Sequence, residues 1–117
     1  MDNSSSESIF TKIINREATA DIVYEDEEMI AIKDINPKAP VHILLLPKDP
    51  IKNLNDFTQT HTELLGRLML KAAEIAKKLN IADTGYKIVI NTGDHGGQII
   101  DHFHLHILGG QRVKAVV

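Results

Sequence analysis

At 117 residues with 43% apolar content, the chain has the size of one domain and enough apolar material for one core. A formal charge of −3, with the 13 Lys and Arg residues scattered, excludes the basic footprint a long nucleic acid needs. The absence of Cys excludes disulfides and thiolate zinc sites, and no apolar run approaches the roughly 20 residues of a membrane helix.

Residues Met1 to Ser6 are polar and Ser-rich, which predicts a disordered tail over 1–6 and a single folded domain over 7–117. This start lacks the basic and apolar regions of an export signal, so a cytoplasmic location is expected. Ile9, Phe10, Ile13 and Ile14 fall at helical spacing behind serines that can cap, predicting a short helix to about Glu17. Asp21 to Tyr24 and Met29 to Lys33 read as strands of a hairpin joined by an acidic turn. Asn36, Pro37 and Pro40 then impose a loop. Val41 to Leu46, stopped by Pro47, has the near-continuous apolar character of a central strand, interrupted only by His42.

From Thr60 to Leu79 one apolar stripe (Leu64, Leu65, Leu68, Met69, Ala72, Ile75, Ala76 and Leu79) predicts the longest helix. Thr60 and Glu63 are placed for a capping box, and Asn80 for a terminator. Tyr86 to Ile90 reads as a strand, 91–97 as a glycine-rich turn, and His102 to Leu108 as a last strand. The expected class is α+β: a mostly antiparallel five-stranded sheet with meander-like links, one long helix and one short one.

In a strand, alternate side chains share a face, so His102, His104 and His106 would project on one side and Phe103, Leu105 and Ile107 on the other. Three explanations compete for this cluster. Incidental half-buried histidines are costly, because neighbouring imidazoles repel when charged and need partners when buried. A metal site is chemically possible, since alternate strand positions can chelate. Nucleophilic catalysis at phosphorus or carbonyl carbon is the third, with one imidazole attacking and another orienting it or protonating a leaving group. The preceding turn favours the third, because Gly93, Gly96 and Gly97 let backbone amides approach an anion closely.

The segment Asp101–His102–Phe103–His104–Leu105–His106–Ile107–Leu108–Gly109–Gly110 resembles the signature of the histidine-triad superfamily. The likeness extends through Ile9, Phe10 and Ile13, through 34–40 with His42, Pro47–Lys48, the long helix and 91–98, and is greatest to the Hint branch of nucleoside phosphoramidate hydrolases. It implies that His104 attacks the α-phosphorus of an AMP-like substrate to form a nucleotidyl-histidine, with His102 and His106 flanking it and His42 in support. It implies that Asp34 accepts from the ribose hydroxyls, and that Ile9, Phe10, Ile13, Ile32, Ile35 and Leu44 enclose a purine. Asn91, Gly97, Gln98 and Ile99 match the ribose and phosphate loop.

The same resemblance implies no cofactor and no metal, a purine nucleotide such as an AMP or GMP conjugate as partner, and a homodimer joined through a helix and a sheet edge. Ile99 stands where Hint-like proteins often carry a serine, Ile32 replaces an aromatic of the base pocket, and the chain stops at Val117 without Trp. His106, at the position where nucleotidyl transferases of the superfamily carry glutamine, favours hydrolysis. A Fhit-like dinucleoside polyphosphate hydrolase is the nearest alternative, and a nucleotide-binding interaction module with weak hydrolysis is another.

Overall fold

The computed structural model describes residues 8–114; the tail expected over 1–6 lies outside them. The Ser8 hydroxyl caps α1 (Ile9–Ile14) by accepting from the Thr11 amide at 3.1 Å. The helix ends short of the expected Glu17 because Arg16 turns left-handed at φ 64°, and the Glu17 and Ala18 amides fold back onto the Lys12 carbonyl.

Five strands follow, β1 (Ile22–Glu25), β2 (Met29–Lys33), β3 (Val41–Pro47), β4 (Tyr86–Ile90) and β5 (Leu105–Gly109), in one antiparallel sheet of order β1-β2-β3-β5-β4. The expected strands over Met29 to Lys33 and Tyr86 to Ile90 are found with those bounds. At the first turn, the Asp26 carboxylate accepts from the Glu28 and Met29 amides at 2.7 and 2.9 Å, closing the hairpin. A meander links β1, β2 and β3, but it does not continue. The long helix α2 (Thr62–Lys78) carries the chain to the far edge, β4 forms there, and β5 returns between β4 and β3.

Helix α2 begins two residues later than the sequence suggests, and its entry is built differently. Gln59–His61 forms a 3-10 turn in which the His61 ring nitrogen Nδ1 accepts from the Thr58 amide at 2.9 Å, so a Thr60–Glu63 box is not used. Glu63 instead faces solvent and pairs with Arg67 at 3.5 Å. The helix does stop at Asn80, which adopts the left-handed φ of 61°.

Alternation along the strands gives the sheet two different faces. Met29, Ala31, Ile43, Leu45, Phe103, Leu105 and Ile107 meet Leu68, Ala72, Ile75 and Ala76 of α2 in a wholly apolar core. Met69, expected in that stripe, is exposed. The opposite face carries Ile30, Ile32, Leu44 and Leu46, covered at one end by Phe10 and Ile13 of α1. Glu28 in the first turn holds Arg67 of α2 by paired contacts of 2.7 and 2.6 Å.

Candidate active site

The histidines gather on the α1 side of the sheet. The last strand begins at Leu105, not His102, so only His106 of the three is a strand residue. The predicted alternation nevertheless survives in the extended approach: Phe103 enters the α2 core while His102 and His104 meet Phe10, ring centroids 5.9 and 4.9 Å apart. The strand fails to start earlier because this approach uses its polar groups elsewhere. The Phe103 amide donates to the Ile51 carbonyl at 2.7 Å, and the His102 ring engages the Pro47 carbonyl.

Three of the four rings are set in one tautomer by a backbone group, and the fourth, His106, by the His42 ring. A carbonyl can only accept, so His102 donates from Nε2 to Pro47 O at 2.7 Å, and His104 donates from Nδ1 to His102 O at 2.8 Å. The Nε2 of His104 therefore keeps its lone pair. His42 works in the reverse sense: its Nδ1 accepts from the Lys38 amide at 3.0 Å, which puts its proton on Nε2. That proton is donated to His106 Nδ1 at 2.9 Å, leaving His106 with an N–H at Nε2. The His106 ring lies 5.1 Å from both the His42 and His104 rings. One free nucleophilic nitrogen and one free ring donor thus stand side by side.

Electrostatics keep this set neutral. Burial, the first cause in each case, holds the imidazoles of His42, His102 and His104 below their ordinary value, although Asp34 partly offsets it at His42 and His104. His106 is pushed down to about 4 by burial, then by repulsion from His104 and His42. A neutral imidazole retains the lone pair that attack on phosphorus requires.

Asp34 lies at the mouth of this cluster. One carboxylate oxygen accepts from the Asn36 amide at 2.8 Å and the other is 3.4 Å from His42 Nε2. The capping role open to a loop Asp is therefore present, with lone pairs left over. Asp34, His42 and His106 could each turn one ligand atom toward a common point, all within 4.8 Å of one another. The donor chemistry opposes a divalent ion there. His42 Nε2 carries a proton for as long as Lys38 donates to Nδ1, and a protonated nitrogen has no lone pair for a metal.

Four of the expected base-enclosing residues come together: Phe10, Ile13, Ile32 and Leu44 share one buried cluster. Ile9 is exposed beside them, and Ile35 and Ile99 stand almost wholly in solvent at 89% and 93% exposure. The 91–98 loop is braced by its own amides. Asn91 donates to Gly96 O at 2.7 Å; Gln98 accepts from the Gly93 amide and donates to Lys52 O and Ile100 O. The Gln98 side chain is thus committed to holding the loop, where Gly93 and Gly97 take φ of 72° and 81°. Sequence reasoning missed Lys38 and Pro47, because both act through the backbone and any residue type with the same main-chain atom could serve.

Fold and site together define a protein with a buried, neutral imidazole cluster beside a glycine-rich loop. The chain matches the family described as scavenger mRNA decapping enzyme C-term binding over residues 7–115. It is 48% identical over 105 residues to the purine nucleoside phosphoramidase of Escherichia coli K12, covering 90% of this chain and 88% of that protein. Among solved structures, a HIT family hydrolase from Clostridium thermocellum superposes with a TM-score of 0.90 at 41% identity, covering 95% and 96% of the two chains. One from Legionella pneumophila does so with 0.90 at 37%, covering 92% and 96%. This chain belongs to the histidine-triad (HIT) family of hydrolases.

Proposed function

We propose that this chain is a purine nucleoside phosphoramidate hydrolase working through a nucleotidyl-histidine on His104. The observation that carries this reading is the pair of tautomers, a lone pair at His104 Nε2 next to a proton at His106 Nε2. His104 Nε2 bonds to the α-phosphorus as the P–N bond to the amine breaks, the departing nitrogen taking its proton from solvent while the His106 Nε2–H donates a hydrogen bond to a phosphoryl oxygen. Water then attacks the nucleotidyl-histidine, its proton passes to solvent, and the bond to His104 breaks, restoring the lone pair at Nε2. Asp34 holds the ribose, Phe10, Ile13, Ile32 and Leu44 face the base, and the braced 91–98 loop with Ile99 lies beside the phosphate. No step calls for a metal, and the His42 tautomer disfavours one.

The test is mass spectrometry of the protein quenched shortly after mixing with AMP joined to a primary amine. An AMP adduct on the peptide containing His104 is expected, with none in His104→Ala. Turnover persisting in His104→Ala would overturn the proposal, and full activity after chelation is expected.

We further propose a cytoplasmic homodimer of this one-domain chain. Met69 and Leu70 present apolar surface on α2, and among the described residues no strand pairs with the outer edge of β4. Among the described residues no helix is long and apolar enough to cross a membrane. Sedimentation should give twice the protomer mass of 13.0 kDa, and a mass of 13.0 kDa at micromolar concentration would refute the dimer.

A further inference from the structure

The wall that α1 gives to the base end of the site is tied to the sheet by almost nothing directional. Six residues are too few to hold a helix alone, so α1 depends on tertiary contacts. Phe10 and Ile13 make them with Ile30, Ile32, Leu44 and Leu46, and apolar packing fixes burial without fixing direction. The Ser8 cap and the bonds from the Glu17 and Ala18 amides to the Lys12 carbonyl stay within the segment. Among the described residues, one hydrogen bond joins 8–18 to the sheet: the Arg16 guanidinium donates to the Glu25 carboxylate of β1 at 2.5 Å.

Glu25 is itself held from the other side. Lys48 Nζ lies 2.7 Å from its second carboxylate oxygen, and the Lys48 amide donates to the Glu28 carbonyl at 2.7 Å. Lys48 follows the end of β3, where Pro47 pairs with Met29, so this side of the link is fixed by the sheet. Among the described residues neither Arg16 nor Lys48 has another carboxylate partner. Arg16 first, and then Lys48, keep the Glu25 carboxyl below the usual carboxylate range, so it is ionised at neutral pH. At the helix side, Arg16 takes the left-handed φ of 64°, which costs any residue with a Cβ and persists only when partners hold it.

We propose that Glu25 is a positioning residue for nucleoside binding: through Arg16 it fixes the angle of α1, and so the place of Phe10 and Ile13 against the base. The proposal rests on the hydrolase reading above, which puts the base there. Phe10 also meets the His102 and His104 rings, but the Pro47 and His102 carbonyls set those rings and do not depend on α1. Loosening α1 therefore weakens contact with the base and leaves attack on phosphorus intact. An exposed ion pair contributes little by itself, and the Arg16 side chain is 59% exposed, so the expected change is a few-fold and not a hundredfold.

The test measures hydrolysis of AMP joined to a primary amine, and its inhibition by AMP and by ribose 5-phosphate, which lacks the base. In Glu25→Gln, KM and the AMP inhibition constant should rise about fivefold, while kcat and the ribose 5-phosphate constant stay within about twofold. Arg16→Met should do the same, the double variant should go no further than either single one because both cut one link, and Glu25→Asp should recover part of the loss. A variant that merely folds less well loses kcat per protein and keeps KM, so the split separates positioning from stability. Unchanged constants, a fall in kcat in place of the rise in KM, or equal weakening of the two inhibitors would overturn the proposal. Should the amine compound not be hydrolysed, the hydrolase reading fails, and calorimetry with AMP decides the role of Glu25. An affinity about fivefold weaker in Glu25→Gln supports it; equal affinities, or no binding to the unmodified protein, refute it.

Discussion

The two faces of the sheet are built from the same strands and solve opposite problems. On the α2 side, Ile43, Leu45, Phe103, Leu105 and Ile107 bury apolar surface with no polar atom to satisfy. On the α1 side, four imidazoles share the space with Phe10, Ile30, Ile32 and Leu44, and among the described residues no buried side-chain nitrogen or oxygen lacks a hydrogen-bond partner. The first arrangement maximises stability, because each buried side chain contributes hydrophobic free energy at little polar cost. The second gives up part of that gain to hold rings neutral and in fixed tautomers. One strand, β5, serves both faces, with Leu105 and Ile107 on one and His106 on the other.

The sharpest way to break this comparison is to cut once into each face. His104→Gln should lower turnover of an AMP phosphoramidate by about a thousandfold or more, with a change in melting temperature of only a few degrees. Leu68→Ala, emptying a fully buried site in the α2 core, should cost about 3 kcal/mol and lower the melting temperature by roughly 10–20 °C. Its kcat/KM per folded molecule should stay within a few-fold of the parent. Steady-state kinetics and thermal melts on both variants check the pair. Comparable losses of stability in the two would remove the division of labour.

Much of this division was legible in the sequence because it rests on period-two alternation. The segment 102–108 interleaves histidines with apolar residues, and the structure sends Phe103, Leu105 and Ile107 one way and the imidazoles the other. The apolar run of β3 foretold a central strand, and β3 lies between β2 and β5. Tautomers were not legible, since Lys38 and Pro47 contribute main-chain atoms that no side-chain pattern encodes. Gln98 reads as a ligand-binding amide until its partners in the folded loop are known. Ile35 and Ile99 are apolar in sequence, and only the fold reveals that they stand outside the core. The late start of β5 follows from a competing pairing, Phe103 with Ile51, made across a loop whose path is set by the tertiary fold.

The smallest expected effect sharpens the comparison through pH, because among the described residues the buried groups that titrate lie on the α1 face. An unfolded chain protonates His106 near its ordinary value of 6.5, whereas the folded chain does so only near 4. Between those values the unfolded state holds more protons, so stability falls as pH is lowered from about 6.5 to about 4, and this group contributes nothing above 6.5. The downward shifts at His42, His102 and His104 act in the same direction. For His106 alone the loss is at most about 3 kcal/mol. His106→Gln replaces the ring with an amide that can still accept from His42 Nε2 but does not titrate. Urea titrations from pH 7 to 4 should therefore show a shallower decline in this variant than in the parent. Equal slopes would mean that the His106 ring is as easily protonated in the fold as in the unfolded chain, and the contrast between a neutral imidazole face and an apolar one would fail at its central residue.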